Sequence, residues 1–195
     1  YDKSEKFLKK ALSINPNNIN AIVNYANLKR DTNNYDESIQ LYEKAYKINN
    51  KISTIIINLA GAYQIIGKFD LSKSYLEMLL KEDQNNAIAH KMLSTVKKYE
   101  KDDAHQAMML SEIKKNTLNE IDKSTLCFAI AKSYDDQKNY EKSCNFFVKA
   151  NDIQKKMNKN YSISEEIKLF SNIKEIFKKT DFEKYLEHKT NKNLI

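Results

Sequence analysis

The chain has 195 residues, 41% of them hydrophobic and 30% charged, but only two glycines and one proline. A β-sandwich or a nucleotide-binding sheet needs many turns rich in glycine and proline, so this composition disfavours both and favours helices joined by short loops. The net charge of +7 comes from 33 basic and 26 acidic residues. Nucleic-acid binding is the weakest interpretation of this charge, because Arg30 is the only arginine and the lysines alternate with carboxylates, as on a solvated helix surface.

Residues 1–14 predict a first amphipathic helix. The segment Asn15-Pro16-Asn17-Asn18 ends it, because proline cannot continue a helix. No run of about 18 apolar residues occurs in the chain, so no membrane-spanning helix is predicted.

Residues 19–32 and 35–48 predict two helices joined at Asn33-Asn34. Asparagine tolerates the left-handed backbone of a tight helix exit, and Asn34 with Glu37 predicts a capping box at the start of the second helix. One face of the first helix is formed by residues at i, i+3, i+4 and i+7: Ile22, Tyr25, Ala26 and Lys29. Two short helices with one apolar stripe each do not fold alone, so we expect the stripes to pack on each other and on a neighbouring pair.

The same helix pair recurs along the chain. Tyr35, which opens the second helix, has counterparts 34 residues away at Tyr1 and Phe69, and Tyr140 follows Phe69 by 71 residues. Small residues recur on both helices: Ala26, Ala60, Ser94 and Ala131 on the first, and Ser4, Ser38, Ser72 and Ser143 on the second. Small side chains are needed where two helix axes come close, so these sites predict the helix contacts.

The later pairs are predicted at residues 53–66 and 69–82, 87–99 and 103–115, and 124–137 and 140–157. Gly67 lies at the turn of the first of these. The pair at 87–115 is degenerate, because Asp103 replaces the expected aromatic and a spacer around 116–122 follows it, so we expect the main irregularity there. Beyond it, Ser162 and Glu165 predict a capping box for a terminal helix, and a second short helix is predicted over 181–188.

A helix–turn–helix period of 34 residues resembles the tetratricopeptide repeat family. The resemblance implies an all-α, right-handed solenoid of antiparallel helix pairs with a C-terminal capping helix. The implied organisation is a half repeat at 1–18, repeats at 19–52, 53–86, 87–123 and 124–157, capping helices at 158–188 and a linker at 189–195. Because Tyr1 falls at the start of a second helix, we expect the chain to be a piece of a longer protein.

The first helices are expected to line a concave groove. Asn24 and Asn58 occupy the same site in consecutive repeats, and Asn27 lies one turn after Asn24. An asparagine amide can donate to and accept from a peptide backbone at once, and the resemblance implies that asparagines at such sites hold peptides. The predicted groove residues are Asn24, Asn27, Asn58, Arg30 and Lys132. The alternative is that asparagine is simply common at these sites and in this chain.

The segment LCFAIAKSYDDQKNYEKSCNFFVKAN, residues 126–151, is also similar to the last repeat of bacterial proteins in which a tetratricopeptide region precedes a sulfotransferase domain. The matching residues are Leu126, Phe128, Ala129, Lys132, Asp135-Asp136, Tyr140 and Ala150-Asn151. The similarity covers roughly residues 95–190, and Ala131 departs from it where relatives often have glycine. It implies a loop for the phosphosulfate donor beyond Ile195.

The leading hypothesis is a non-catalytic scaffold that binds a protein or peptide in the groove. The alternative is the substrate-presenting arm of a sulfotransferase whose catalytic domain lies beyond Ile195. No catalytic constellation is visible, and we expect no cofactor, no metal and no membrane partner. The three histidines are scattered, and His90 is expected to be a packed residue rather than a ligand. Cys127 and Cys144 are on adjacent helices, where a disulfide is possible, but reduced thiols in a cytoplasmic protein are the favoured interpretation.

Overall fold

The computed structural model describes residues 2–115, 117–158 and 163–179, and in these ranges every regular element is an α-helix. The helices are α1 (Asp2–Ile14), α2 (Ile19–Asp31), α3 (Tyr35–Ile48), α4 (Ser53–Ile65), α5 (Phe69–Glu82), α6 (Ala87–Val96), α7 (Ala104–Lys114), α8 (Glu120–Asp136), α9 (Tyr140–Met157) and α10 (Ile163–Lys179). The all-α class is confirmed. The predicted helix at 181–188 and the linker at 189–195 lie outside the described residues.

The chain divides after Met157 into two compact units, the first of which holds α1 to α9. Within it, α2 packs on α3, α4 on α5 and α8 on α9, and the second helix of a pair also contacts the first helix of the next, as α3 does with α4 and α5 with α6. First helices also contact each other, α4 with α6 and α6 with α8. Helix α6 therefore contacts the first helices of both neighbouring pairs.

The predicted small sites are buried at the helix contacts. Ala26, Ala60 and Ala131 have no exposed surface, and Ser94 is 2% exposed. The larger residue before each of them is also in the core: Tyr25, Leu59, Leu93 and Ile130. A fully buried side chain of this size stabilises the fold by about 1.5–3 kcal/mol relative to an exposed one.

The buried serines of the second helices have a role beyond their size. Ser38 Oγ donates to the carbonyl of Ala26 at 2.8 Å, and Ser143 Oγ donates to the carbonyl of Ala131 at 2.9 Å. Both bonds join the second helix of a pair to the small site of its first helix. Ser4, at the matching site of α1, is exposed. The sequence explained these residues by volume alone, so the repeated hydrogen bond is a finding of the structure.

The turns inside the four complete pairs share one left-handed residue. Its φ is 62° at Asn33, 75° at Gly67, 62° at Asp102 and 59° at Lys138. In three of these turns, the backbone N–H of the residue after the left-handed one donates to the carbonyl of the residue five positions before it. This bond closes the C-terminal end of the first helix. Asparagine and glycine were predicted for this geometry, whereas Asp102 and Lys138 were not. Aspartate adopts it more readily than most residues, so only Lys138 adopts it without a residue-type signal.

The capping box predicted at α3 is wrong. The Asn34 side chain does not cap the helix, and its amide donates instead to Thr32 Oγ1 at 3.1 Å. The Glu37 carboxylate pairs with the Lys29 ammonium at 2.9 Å. Side-chain caps are found elsewhere, where the Oδ1 atoms of Asn18 and Asn86 accept from the first turns of α2 and α6. The capping box predicted at Ser162 lies outside the described residues.

The degenerate pair is irregular, as predicted, and differs from the predicted helix bounds. Helix α6 ends at Val96, three residues before the predicted end, and residues 97–100 are not helical. Tyr99 in this segment is 1% exposed, and its amide donates to Asp136 Oδ2 at 3.0 Å. The chain leaves the helical path at the point where the Tyr99 side chain packs into the core against α8. Helix α8 in turn begins four residues early, at Glu120, with Asn119 as its cap.

Helix α10 is the described part of the second unit. It is amphipathic, with an apolar stripe that includes the exposed side chains of Ile163, Ile167, Phe170 and Phe177. Its assignment as a cap of the last repeat stays a prediction, as does the division of residues 1–157 into repeats. Across the described helices, none combines the length and hydropathy that a membrane crossing requires.

Candidate functional site

The candidate groove is the predicted concave surface of the first helices. Two of its predicted asparagines, Asn24 on α2 and Asn58 on α4, have side-chain amides without a partner in the described chain. Asn24 is exposed and Asn58 is half-buried. Neither side chain makes a hydrogen bond to another residue that the structure describes. Both amides are therefore available to pair with groups outside the chain.

Asn27 and Arg30 have partners inside the fold. The hydroxyl of the fully buried Tyr42 donates to Asn27 Oδ1, and Arg30 Nη1 donates to the Tyr42 oxygen at 3.3 Å. The guanidinium of Arg30 also pairs with Asp31 through Nε at 3.3 Å and Nη2 at 3.2 Å. The two bonds of Tyr42 connect α2 to α3. Burial raises the pKa of Tyr42, so its hydroxyl stays a donor. The two predicted groove residues thus already have structural roles.

Lys132 of α8 is likewise occupied. Its ammonium donates to the carbonyl of Lys97 at 2.9 Å and to Asp136 Oδ2 at 2.5 Å, and lies 5.7 Å from the centre of the Tyr99 ring. These contacts hold the non-helical segment at 97–100 against α8. A ligand role for Lys132 stays a prediction, and it requires the ammonium to exchange these internal contacts for a ligand.

Between α4 and α6 the structure shows two close contacts that the sequence did not predict. Gln64 Nε2 donates to Ser72 Oγ at 3.0 Å and to the carbonyl of Met92 at 3.3 Å, so it joins three helices. At Gly61, a Cβ atom would lie 3.5 Å from Met92 Cε. Gly61 lies 34 residues after Asn27, so glycine occupies in this repeat the site that asparagine occupies in the one before. This replacement is the sequence signal that could have predicted the close approach of Met92.

A partly exposed ion cluster ties α1 to the next two helices. Lys29, only 9% exposed, pairs with Glu5 at 3.0 Å and with Glu37 at 2.9 Å, and the Tyr25 hydroxyl donates to Glu5 at 3.0 Å. Hydrogen bonds from Lys9, Lys29 and Tyr25 lower the pKa of Glu5 to about 2, and the two carboxylates raise the pKa of Lys29. The sequence placed Lys29 on the packed face but did not predict its partners. The lysine charge is paired with two carboxylates that solvent reaches.

The remaining candidate residues do not form a site for a metal ion. No group of three or more His, Cys, Asp or Glu side chains within residues 2–115, 117–158 and 163–179 is arranged to hold one. Cys127 is buried, Cys144 is exposed, and both are free thiols. His90 is fully buried and packs against His105, as expected for a core residue.

Comparisons with known proteins agree with this geometry. Two sequence models described as tetratricopeptide repeat match residues 7–40 and 124–157. No curated protein sequence gives a significant match.

Several solved structures share the fold. MamA from Desulfovibrio magneticus RS-1 aligns with a TM-score of 0.61 and 12% identity, over 80% of this chain and 87% of that one. BtubC from P. vanneervenii aligns at 0.55 and 20% identity, over 74% and 65%. A chain of the APC/C hetero-tetramer Cut9-Hcn1 aligns at 0.58 and 17% identity, over 78% and 30%. Residues 7–40 and 124–157 therefore match tetratricopeptide repeats, and the described helices share the all-helical solenoid fold of these structures.

Proposed function

We propose that the chain is a non-catalytic scaffold that binds a segment of another protein along the inner side of α2 and α4, through the amides of Asn24 and Asn58. The supporting observation is that these two side chains, one repeat apart, make no hydrogen bond to the described part of the chain. An unpaired amide offers both a donor and an acceptor to an extended backbone, whatever side chains the ligand carries.

The internal partners of the other candidates favour this smaller site. Arg30 and Lys132 are held by a carboxylate each, so a ligand must replace an existing charged contact before it gains a new one. Asn27 keeps its NH₂ group but its oxygen is occupied by Tyr42. We therefore rank these three residues as secondary contacts, next to the primary contacts Asn24 and Asn58.

The test uses a peptide selected from a random library displayed against the whole chain. Its dissociation constant is then measured by isothermal titration calorimetry for Asn24→Ala, Asn58→Ala and the double variant. Each lost hydrogen bond is worth about 0.5–1.5 kcal/mol, so we expect each single variant to weaken binding by roughly 2- to 12-fold. The matched control is Asn145→Ala, at an exposed asparagine of the second helix α9.

An unchanged dissociation constant in the double variant, with helical circular dichroism intact, contradicts the proposal. Salt separates it from nucleic-acid binding. An affinity for oligonucleotides that falls steeply with salt indicates phosphate contacts, whereas hydrogen bonding to a peptide backbone depends only weakly on salt.

A second candidate function is the substrate-presenting arm of a sulfotransferase. Its support is the sequence similarity of residues 126–151 described above, in which Lys132 and Asp136 are matching residues. The encoded sequence after Ile195 tests it. A strand followed by a Pro-Arg-Ser-Gly-Thr loop supports this function, and any other continuation contradicts it.

A further inference from the structure

A chain of buried polar groups runs through the degenerate repeat. His90 on α6, His105 on α7 and Tyr99 between them are 0%, 7% and 1% exposed. His90 Nε2 lies 2.8 Å from the carbonyl oxygen of Gln84, and His90 Nδ1 lies 2.8 Å from His105 Nε2. His105 Nδ1 lies 2.6 Å from the Tyr99 hydroxyl oxygen. The rings are also stacked, with centres 5.0 Å apart for the two histidines and 5.8 Å apart for His105 and Tyr99.

With both rings neutral, the proton positions in this chain follow from the partners. The carbonyl of Gln84 can only accept, so His90 Nε2 carries the hydrogen and His90 Nδ1 is an acceptor. His105 Nε2 must then donate to His90, which leaves His105 Nδ1 as the acceptor for the Tyr99 hydroxyl. Every donor and acceptor is satisfied in this one arrangement, with both histidines neutral and both protonated at Nε2.

This polar chain holds the segment where α6 departs from the repeat pattern. Tyr99 is bound to α7 through His105, and its amide is bound to α8 through Asp136. The ammonium of Lys97 lies 5.3 Å from the Tyr99 ring and pairs with Asp103, which caps α7. Releasing Tyr99 therefore removes its hydrogen bonds to α7 and α8 and exposes the segment at 97–100.

A proton added to either imidazole cannot be accommodated without loss. A proton on His90 Nδ1 forces both histidine–histidine and histidine–tyrosine bonds to reverse, which leaves the Tyr99 hydroxyl hydrogen without its acceptor. A second proton places two cationic rings in contact. Both results bury charge or an unpaired donor, which is unfavourable in a low-dielectric interior.

The charged groups around the chain have opposing effects. Burial lowers the pKa of His90, and Glu112 and Asp83 act in the opposite direction. Burial also lowers the pKa of His105 to about 3, with further lowering by His90 and Lys97, against Asp103. On the α8 side, Lys132 lies over the Tyr99 ring and Asp136 accepts from its amide. Glu112 pairs with Lys115 through Oε1, and its buried Oε2 has no hydrogen-bond partner in the described chain.

We propose that His90, His105 and Tyr99 form an acid-sensitive latch, which closes the connection between α6 and α7 at neutral pH and releases it on acidification. The open state gains protons that the closed state excludes. Because the native pKa values are lowered, the stability that the latch contributes is present above about pH 6.5 and is lost as the pH falls below it. At pH 5, a histidine with an ordinary pKa in the open state favours opening by about 30-fold.

The test has two readouts on the whole chain. Hydrogen exchange followed by mass spectrometry measures the protection of residues 97–108 from pH 7 to 5, corrected for intrinsic exchange, with α4 as the internal reference. We expect protection of 97–108 to fall at least tenfold more than that of α4. Nitrogen NMR of labelled histidines measures tautomer and charge, and we expect His90 and His105 both to be neutral and protonated at Nε2 at pH 7.

Variants separate the latch from other acid effects. His188→Gln changes the third histidine and should leave the response intact, and so should Glu112→Gln, which removes the neighbouring carboxylate. The double variant His90→Gln/His105→Gln should abolish the loss of protection at acidic pH. If this variant does not fold, the NMR spectra of the wild-type histidines still test the proposal. Three outcomes would each overturn the proposal. The first is unchanged protection of residues 97–108 on acidification, and the second is protonation of the imidazoles while this segment stays protected. The third is loss of the acid response in Glu112→Gln.

Discussion

The two glycines of the chain should respond in opposite ways to the same substitution. Gly61 lies inside α4, where a Cβ atom meets Met92 Cε at 3.5 Å, an ordinary van der Waals contact. Alanine is favoured over glycine in a helix interior by about 1 kcal/mol, so Gly61→Ala should stabilise the fold by up to that amount. Gly67 has open space around its Cβ position but a φ of 75°. An L-residue in that conformation costs about 1–2 kcal/mol, so Gly67→Ala should destabilise.

The expected difference between the two variants is about 2 kcal/mol, or roughly 4–8 °C in melting temperature for a domain of this size. Thermal and urea unfolding followed by far-UV circular dichroism measures it. Gly67→Asn is the control, because Asn33 holds the same turn position with a φ of 62°, and this variant should lose less stability than Gly67→Ala. The reasoning fails if Gly67→Ala is as stable as the wild type, or if Gly61→Ala is the less stable variant.

Four further outcomes follow from single residues. Ser38→Ala removes a buried hydrogen bond to α2, so it should lower the free energy of unfolding in urea by about 1 kcal/mol. Ser4→Ala, at the exposed matching site of α1, should change this free energy by less than about 0.5 kcal/mol. Equal losses in the two variants would contradict the role of the bond. Lys29→Met should speed hydrogen exchange in α1 at pH 7, because it removes the ammonium shared with Glu5, and unchanged exchange would show that apolar packing alone holds α1. In the wild type the pKa of Glu5 is about 2, below its ordinary value of about 4.5, so its contribution to α1 docking is present above about pH 4.5 and should be lost as the pH falls towards 2. Lys138→Gly should raise the melting temperature by a few degrees, because glycine adopts the φ of 59° without strain, and a lower value would contradict this.

Features that depend on neighbouring residues were readable from the sequence. The starts of α3, α5 and α9 at Tyr35, Phe69 and Tyr140 follow from the repeat period, and Asn33 and Gly67 carry the turn geometry that their residue types favour. The early end of α6 was not predicted, because it accompanies the packing of Tyr99 against a helix more than 20 residues away. A periodic pattern predicts the local secondary structure of a segment. It does not predict which distant segment the side chains of that segment pack against.

The same limit applies to the candidate site. The sequence predicted the same role, a groove contact, for Asn24, Asn27, Asn58, Arg30 and Lys132. Spacing shows which helix face a residue occupies, but not whether its side chain already has a partner inside the fold.

By itself, the sequence determined the order of the helices, the period at which the pairs repeat and the sites where small residues let two helices pack closely. The tertiary structure alone decided which polar side chains are already paired, including Lys132 with the carbonyl of Lys97 and His90 with His105. The reason is physical: a helix pattern depends on contacts within a few residues, whereas a hydrogen bond needs two atoms about 3 Å apart, and only the packing of separate helices sets that distance.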